Sequence, residues 1–339
     1  MMRVVVTGCS GFLGGEIVRQ LLQRDCEVVG LSRRETADLV RAGMTHHRGD
    51  LLDTEYLARV IAGADVVIHT AAVAGVWGSW QHYFDNNVVA SRNVLQACQE
   101  LGVSQLIYTS SPSVTFDGND QRDVDEAEPY PETWMCHYPH TKSIAEREIL
   151  AADQPGGMRT VSLRPHLIWG PDDPHLIPRV LQRARSGRLR IIGDGSNVID
   201  TVHVINAAAA HLDAMDAMQT RPDEAAGRAY FITQDEPVNC WDWIGKLCRV
   251  HGVDPPTKSI SFAAAYRIGA VLETVYRLTG RTSEPPMTRF VASQLAKDHS
   301  FDITAAKERL GYRPRIDMDA GLQTLTDDPA VTNDRSTDR

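Results

Sequence analysis

Between the apolar run Val4–Val6 and the amphipathic stretch that follows it, the sequence TGCSGFLGG spaces three glycines, Gly8, Gly11 and Gly14, at equal intervals. No other feature restricts the fold of the chain as much. An apolar β-branched run reads as a buried strand, and the apolar spacing in GGEIVRQLLQRD reads as a helix. Glycines at their junction let the backbone turn tightly and let a pyrophosphate lie against the positive end of that helix. A strand, a glycine loop and a helix in this order predict a parallel α/β sheet that binds a nucleotide.

The alternation continues through EVVGLS, a helix near 36–42, a short strand near Thr45–His47, a helix at 54–62, DVVIHTAA, a long helix near 82–101 and QLIYTSS. Such alternation builds right-handed βαβ units. The runs VVV, VVIH and LIYT are apolar throughout, as strands covered on both faces are. Beyond Tyr138 come a helix to about Ala152, the strand RTVSLRP, a helix after Pro174, LRII, a helix from Ile205 and RAYFIT. The expected fold is a Rossmann-type doubly wound parallel sheet with a smaller mixed α/β C-terminal substrate lobe. The sheet domain takes residues 1–165 with returning segments near 195–235, and the lobe takes 166–194 and 236–326. Residues 327–339, polar and aperiodic, read as a loose tail.

Composition removes several functional classes. The net charge is -9 and the basic residues are dispersed, which argues against nucleic acid as a partner. Cys9, Cys26, Cys98, Cys136, Cys240 and Cys248 form no C-x-x-C pair and no cluster with histidine, so reduced thiols in a cytoplasmic protein are expected. The start, MMRVVVTG, has no signal-peptide pattern, and no run approaches the ~18 apolar residues of a membrane span. No His, Asp, Glu or Cys spacing suggests a metal, and none is expected.

The second strand ends in LSRRE, where a nicotinamide site places the group that reads the adenosine ribose. A carboxylate there would repel a 2′-phosphate, whereas Arg33 beside Ser32 would pair with one. NADP(H) is therefore favoured, and Glu35 keeps NAD(H) open as the alternative. Asp50, after the third strand, is placed to touch the adenine edge, with Asp53 or Thr54 as the helix cap.

YTSSPS ends the fifth strand, and ligands of open parallel sheets lie beyond the carboxyl ends of strands. Further on, YPHTK sets Tyr138 and Lys142 on one helical face. Hydride transfer to a ketone needs a proton donor for the new alkoxide. A phenol, with a pKa near ~10, needs nearby positive charge to serve in both directions. A serine hydroxyl supplies a hydrogen bond to the same oxygen.

Together, T-G-x-x-G-x-x-G, IHTAA, NNVVASRNVLQAC, YTSSPS, YPHTK and LRPHLIWGPDD resemble the extended short-chain dehydrogenase/reductases, over roughly residues 3 to 320. The resemblance implies a Ser–Tyr–Lys site. Ser111 matches the substrate-orienting serine, with adjacent Ser110 as the alternative; Tyr138 matches the acid/base, and Lys142 the residue that also binds the nicotinamide ribose. Phe12 and Leu13 follow the glycine loop, Leu51 follows Asp50, and Thr70, Ala71 and Ala72 match the turn over the cofactor. Asn87 matches the asparagine of the central helix, and Pro165 to Leu167 match the loop beside the nicotinamide. Within the family, the stretch from LRPHLIWGPDD onward is similar to two groups. These are the 3β-hydroxysteroid dehydrogenases, sterol-4α-carboxylate 3-dehydrogenases among them, and the bacterial 2-alkyl-3-oxoalkanoate reductases. TSSPSVTFDG and IWGPDDPHLIP lean toward the second. Both act on an oxygen β to a carboxyl group.

On the substrate side, Trp77 between glycines and His166 after RTVSLRP are expected to meet a hydrophobic substrate, His166 through its carboxylate. Tyr83, Phe84 and His69 read as packing residues. In SFAAAYRIGAVLETVYRL, Ala265, Ile268, Leu272 and Val275 form one stripe, expected to pack as a lid or to rest peripherally on a membrane. Relatives pair through the central helix, so a homodimer is expected. A nucleotide-sugar epimerase or dehydratase on the same scaffold is the competing reading. Pro112 and Ser113 replace the acidic residues of a dehydratase, and Arg183, Arg185 and Arg188 leave a diphosphate site open.

Overall fold

The strands β1 (Met2–Thr7), β2 (Cys26–Ser32), β3 (Thr45–Arg48), β4 (Val66–His69) and β5 (Gln105–Thr109) form early in the chain. After a short β6 (Gln121–Val124) comes β7 (Arg159–Pro165). With Arg228–Ile232 they build a seven-stranded sheet in the order Arg228–Ile232, β7, β5, β4, β1, β2, β3. Every neighbouring pair is parallel. This computed structural model describes residues 1–326, so the tail expected at 327–339 lies outside the described residues.

Alternation along β1 explains the layers. Val4 and Val6 face a core shared with helix α1 (Phe12–Leu21) and the helix Val204–Thr220, while Val5 faces the helices Thr54–Ile61, Ala90–Glu100 and His137–Ala151. The sheet is thus covered on both faces, and its chain order reverses between β1 and β4. That crevice, at the strands' carboxyl ends, is where such sheets take ligands.

A second core gathers Trp169, Ile177, Trp241, Trp243, Ile244 and Met318 in the C-terminal lobe. A four-stranded sheet in the order Val238–Asn239, Val198–Ile199, His299–Phe301, β6 runs across the boundary between the lobes. Because β6 comes from the first 165 residues, its pairing with His299–Phe301 ties the lobe to the sheet domain. All six cysteines are free thiols. No described helix is long and apolar enough to cross a membrane.

Three expectations need correction. LRII yields only the two-residue strand Ile191–Ile192, paired with Ser259–Ile260. The long central helix begins earlier, at Trp80, and is interrupted by a π-helical turn over Phe84–Val89. The stripe expected on the helix Phe262–Leu278 is not its packed face. Ala265, Gly269 and Glu273 are buried, while Ile268, Val271, Val275 and Leu278 face solvent. The helix packs through a small residue and an ion pair: a Cβ on Gly269 would meet the Thr288 carbonyl carbon at 2.7 Å, and Glu273 binds the Arg289 guanidinium at 2.8 Å. Close backbone approach, invisible to a hydrophobic stripe count, sets the orientation.

Candidate active site

A cleft of about 740 Å³ runs along the carboxyl ends of the strands. It begins at the glycine loop. Gly8 adopts φ +74°, and a Cβ on it would lie 2.8 Å from the backbone nitrogen of Ala71. A Cβ on Gly14 would lie 2.3 Å from the Gly8 carbonyl oxygen. Only glycine fits this cradle. The cap of α1, Gly11, offers no side chain to its first N–H groups. Those donors and the space above them fit a dinucleotide pyrophosphate.

Every residue expected to touch the cofactor lines this one cleft. Gly8, Gly11, Phe12 and Leu13 lie at the loop; Ser32, Arg33, Asp50 and Leu51 at the adenosine end; Thr70, Ala71 and Ala72 over β4. Tyr138, Lys142, Pro165 and Leu167 close the nicotinamide end. Arg34 joins Arg33 there, while the Ser32 hydroxyl donates to the Arg34 carbonyl at 2.6 Å and fixes the turn. Asp53 caps the helix Thr54–Ile61 by accepting from the Tyr56 N–H at 3.0 Å, leaving Asp50 to the cleft.

The chemistry-bearing groups sit on the helix His137–Ala151 and on the loop after β5. Ser111 starts a 3₁₀ turn, Pro112–Thr115, and its hydroxyl lies 2.9 Å from that of Ser113. Ser110, 4% exposed, is tied to the sheet by its N–H donating to the Leu163 carbonyl at 2.6 Å. Ser111 is the one of the pair that lines, with Tyr138, the pocket beside the nicotinamide end. Burial pushes the Tyr138 phenol up to about 12, and the nearby Ser111 hydroxyl works in the opposite direction. The expected lowering by Lys142 is therefore not made by the protein alone. Lys142 donates to the Thr109 carbonyl at 2.6 Å and sits 4.1 Å from the centre of the Tyr108 ring. Burial lowers its ammonium to about 7, partly offset by Glu146.

Two residues support this helix: Glu146, which escaped sequence reasoning, and Asn87, which the family resemblance had singled out. Glu146, fully buried one turn past Lys142, accepts from Arg164 at 2.7 Å, from Ser162 at 2.7 Å and from Tyr130 at 2.7 Å. Burial alone would raise its carboxyl; Arg164 outweighs that and holds it below the usual range. The i, i+4 spacing of Lys142 and Glu146 was the available signal. Asn87, in the π-helical turn, accepts from the Val73 N–H at 2.8 Å and donates to Thr141 at 3.1 Å. Thr141 in turn donates to the Tyr138 carbonyl at 3.0 Å, so the asparagine links the loop after β4 to the helix of Tyr138. His69 is a core histidine, bonded to Thr7 at 2.7 Å and Ser91 at 2.9 Å.

A smaller pocket of about 200 Å³ opens beside the nicotinamide end and shares Ser111, Tyr138 and Leu167 with the cleft. His166 lines it. Trp77 does not. Its indole N–H donates to the Arg281 carbonyl at 3.2 Å and its ring meets Tyr276 edge-on at 6.1 Å, so the neighbouring Gly75 and Val76 face the pocket instead. Tyr83 is buried and donates to the Trp77 carbonyl at 3.1 Å. Leu167 adopts φ +43°, a conformation rare for a branched side chain, at the boundary of both cavities.

Comparison with known proteins identifies the family and the fold. Residues 5–263 match the model of the 3-beta hydroxysteroid dehydrogenase/isomerase family. A 2-alkyl-3-oxoalkanoate reductase of Shewanella oneidensis is 43% identical, the match covering 94% of this chain and 84% of that protein. A second such reductase, from Stenotrophomonas maltophilia, is 42% identical over 96% of this chain and 98% of that protein. A human sterol-4-alpha-carboxylate 3-dehydrogenase, decarboxylating, is 30% identical over 95% of this chain and 86% of that protein. The fold matches that of UDP-glucuronic acid 4-epimerase from Bacillus cereus in complex with NAD, with a TM-score of 0.75 and 22% identity over 98% of this chain and 99% of that one. The chain belongs to the 3-beta hydroxysteroid dehydrogenase/isomerase family, within the extended short-chain dehydrogenase/reductases, and is a nicotinamide-dependent oxidoreductase acting on hydroxyl or keto groups.

Proposed function

We propose that the protein reduces the ketone of a 2-alkyl-3-oxoalkanoate, with NADPH as the preferred reductant. The observation that carries this reading is the meeting of Ser111 and Tyr138 with a small aromatic pocket at the nicotinamide end of the cleft. At about 200 Å³, that pocket is smaller than the ~300–1,000 Å³ that enclose whole drug-sized ligands. It suits the polar head of a chain better than a fused ring system. The identities of 43% and 42% with two 2-alkyl-3-oxoalkanoate reductases, against 30% with the human sterol enzyme, support the same choice.

Bound in the cleft, the reduced nicotinamide supplies the hydride. The Ser111 hydroxyl donates to the substrate's carbonyl oxygen and orients it. Tyr138 delivers its phenolic proton to the oxygen as negative charge develops there. Lys142, fixed by the Thr109 carbonyl, presents its ammonium to the ribose and to the phenolate left behind. The apolar walls exclude water from a β-keto acid that is prone to lose CO2. A panel of 2-alkyl-3-oxo acids, 3β-hydroxysteroids and 4-carboxysterols, followed by nicotinamide absorbance, tests the assignment. The highest kcat/KM is expected for the 2-alkyl-3-oxo acids; a higher value for a sterol would reject it.

The cofactor preference rests on Arg33 and Arg34, both exposed at the adenosine end of the cleft, whereas Glu35 does not line it. Replacing Arg33 by alanine removes a charge-assisted pair to the 2′-phosphate and is expected to raise KM for NADPH roughly tenfold, leaving NADH unaffected. Equal changes for both cofactors would return the choice to NAD. The epimerase alternative is weakened at one of its arginines: Arg183 is already committed to the Pro286 carbonyl at 3.0 Å.

A further inference from the structure

The pocket beside Tyr138 contains two histidines with ring nitrogens that have no partner among the described residues. His299 is 1% exposed, and neither of its ring nitrogens makes a hydrogen bond. His166 is 7% exposed, and its Nε2 is likewise unpaired. Buried polar groups are nearly always satisfied, so three open ring positions in one small cavity require a ligand or a function. Both side chains line the pocket that also contains Ser111 and Tyr138.

The two rings are held, not loose. Their centroids are 5.7 Å apart and their planes nearly perpendicular, at 88°. Phe116 meets His299 edge-on at 5.1 Å, and Phe301 meets His166 at 5.1 Å. These neighbours fix orientation without offering an acceptor. Behind the rings, the backbone is equally constrained. The His299 carbonyl accepts from the Asp200 N–H at 2.7 Å, and the His166 N–H donates to the Ile232 carbonyl at 3.1 Å. The one formally charged side chain among the described residues lining the pocket, Arg179, is paired with Glu284 from the segment after the helix Phe262–Leu278. Among the described residues lining the pocket, the buried atoms left without a partner are those of the two imidazoles.

We propose that His299 and His166 form the subsite that binds the carboxylate of the 3-oxo acid, with His299 as a specificity-determining residue that the sequence did not reveal. The inference rests on the proposed function and deepens it. In a 3-oxo acid the carboxyl group lies one carbon away from the reacting carbonyl. A carbonyl held between Ser111 and Tyr138 thus places its carboxylate within the same small pocket. A neutral imidazole donates one N–H, and two imidazoles at right angles reach two oxygens of one carboxylate. Burial lowers both imidazoles, helped at His166 by His299 and outweighing Asp298 and Asp120 at His299, so the histidines are neutral before substrate arrives. A bound carboxylate accepts the N–H that each ring can donate, and the rings break no hydrogen bond to meet it. Donors on the carboxylate also stabilise its charge relative to the enolate that CO2 loss would produce, which protects the substrate during reduction.

The test compares one substrate pair across three forms of the enzyme. The pair is a 2-alkyl-3-oxo acid and the dialkyl ketone of the same skeleton lacking the carboxyl group. The forms are wild type, His299→Phe and His299→Asn, with cofactor binding measured for each as the check on folding. The phenylalanine variant is expected to lose roughly tenfold or more in kcat/KM for the acid, chiefly through KM, and to change less than about threefold for the ketone. Asparagine, which retains a donor, is expected to recover part of the loss on the acid alone. Equal losses on acid and ketone, or no loss on the acid, would overturn the carboxylate subsite while leaving the reductase reading intact. Failure of the wild type to reduce any 3-oxo acid would remove both.

Discussion

Replacing Tyr138 by phenylalanine is expected to lower kcat by roughly 10²- to 10⁴-fold while leaving cofactor affinity within a factor of about two. In the proposed mechanism the two effects separate because the phenol's hydroxyl is the proton donor, whereas the ring and the helix that carries it stay in place. The helix is held independently of that hydroxyl, by Thr141 donating to the Tyr138 carbonyl and by Asn87 bonding Thr141. With the hydroxyl gone, Ser111 still orients the carbonyl but the alkoxide has no proton source. Steady-state turnover with the preferred substrate, paired with calorimetric titration of the cofactor, distinguishes a chemical loss from a binding loss. A variant retaining more than about a tenth of wild-type kcat would mean that another group delivers the proton. Because the protein alone pushes the phenol up to about 12, the pH profile of kcat is informative too. The positive charge that brings the phenol toward neutrality has to arrive with the oxidised nicotinamide and with Lys142 in its charged form.

Breaking the buried pair beneath that site should produce the largest effect on stability. Glu146→Gln leaves the Arg164 guanidinium buried with 3% of its side chain exposed, and an uncompensated buried charge costs about 3–5 kcal/mol. Urea unfolding should show that loss, and thermal melting a lower Tm. The double variant Glu146→Leu/Arg164→Met should recover most of it, since replacing a buried pair by apolar groups is often neutral. A single variant that costs less than about 1 kcal/mol would show that the pair contributes little. The sign of the pH dependence follows from the depressed Glu146 carboxyl: its contribution is fully present above the unfolded carboxylate pKa and is lost as pH falls through the lower, folded value. The same substitution removes the negative charge that favours the Lys142 ammonium, so activity should also fall at the upper end of the pH range.

The sequence revealed those parts of the molecule whose function depends on backbone pattern. The glycine loop, the apolar strands and the Tyr138–Lys142 spacing each follow from local geometry, and the structure brings all the residues expected along the cofactor into one cleft. What stayed hidden depends on contacts between distant segments. His299 lies in a three-residue strand, too short for any periodicity, and reaches the pocket only because that strand pairs with β6. The orientation of the helix Phe262–Leu278 was misread for a related reason. Its buried face is defined by the backbone at Thr288 and by the charge of Glu273, neither of which registers as hydrophobic pattern. Trp77 was misplaced because an aromatic flanked by glycines suggests a ligand wall equally well as a clasp.

That clasp has a practical consequence. Trp77 comes from the loop after β4, yet its indole N–H, its ring edge and its face are taken by Arg281, Tyr276 and the Arg277 guanidinium at and just beyond the far end of the helix Phe262–Leu278. Any outward swing of that end must strip the indole of all three partners and hydrate it, which shifts tryptophan emission to longer wavelength. The Trp77 indole is therefore a built-in optical reporter of this contact. Although the chain has six tryptophans, the difference spectrum between wild type and Trp77→Phe isolates this one, and allows loss of the contact to be followed without a label.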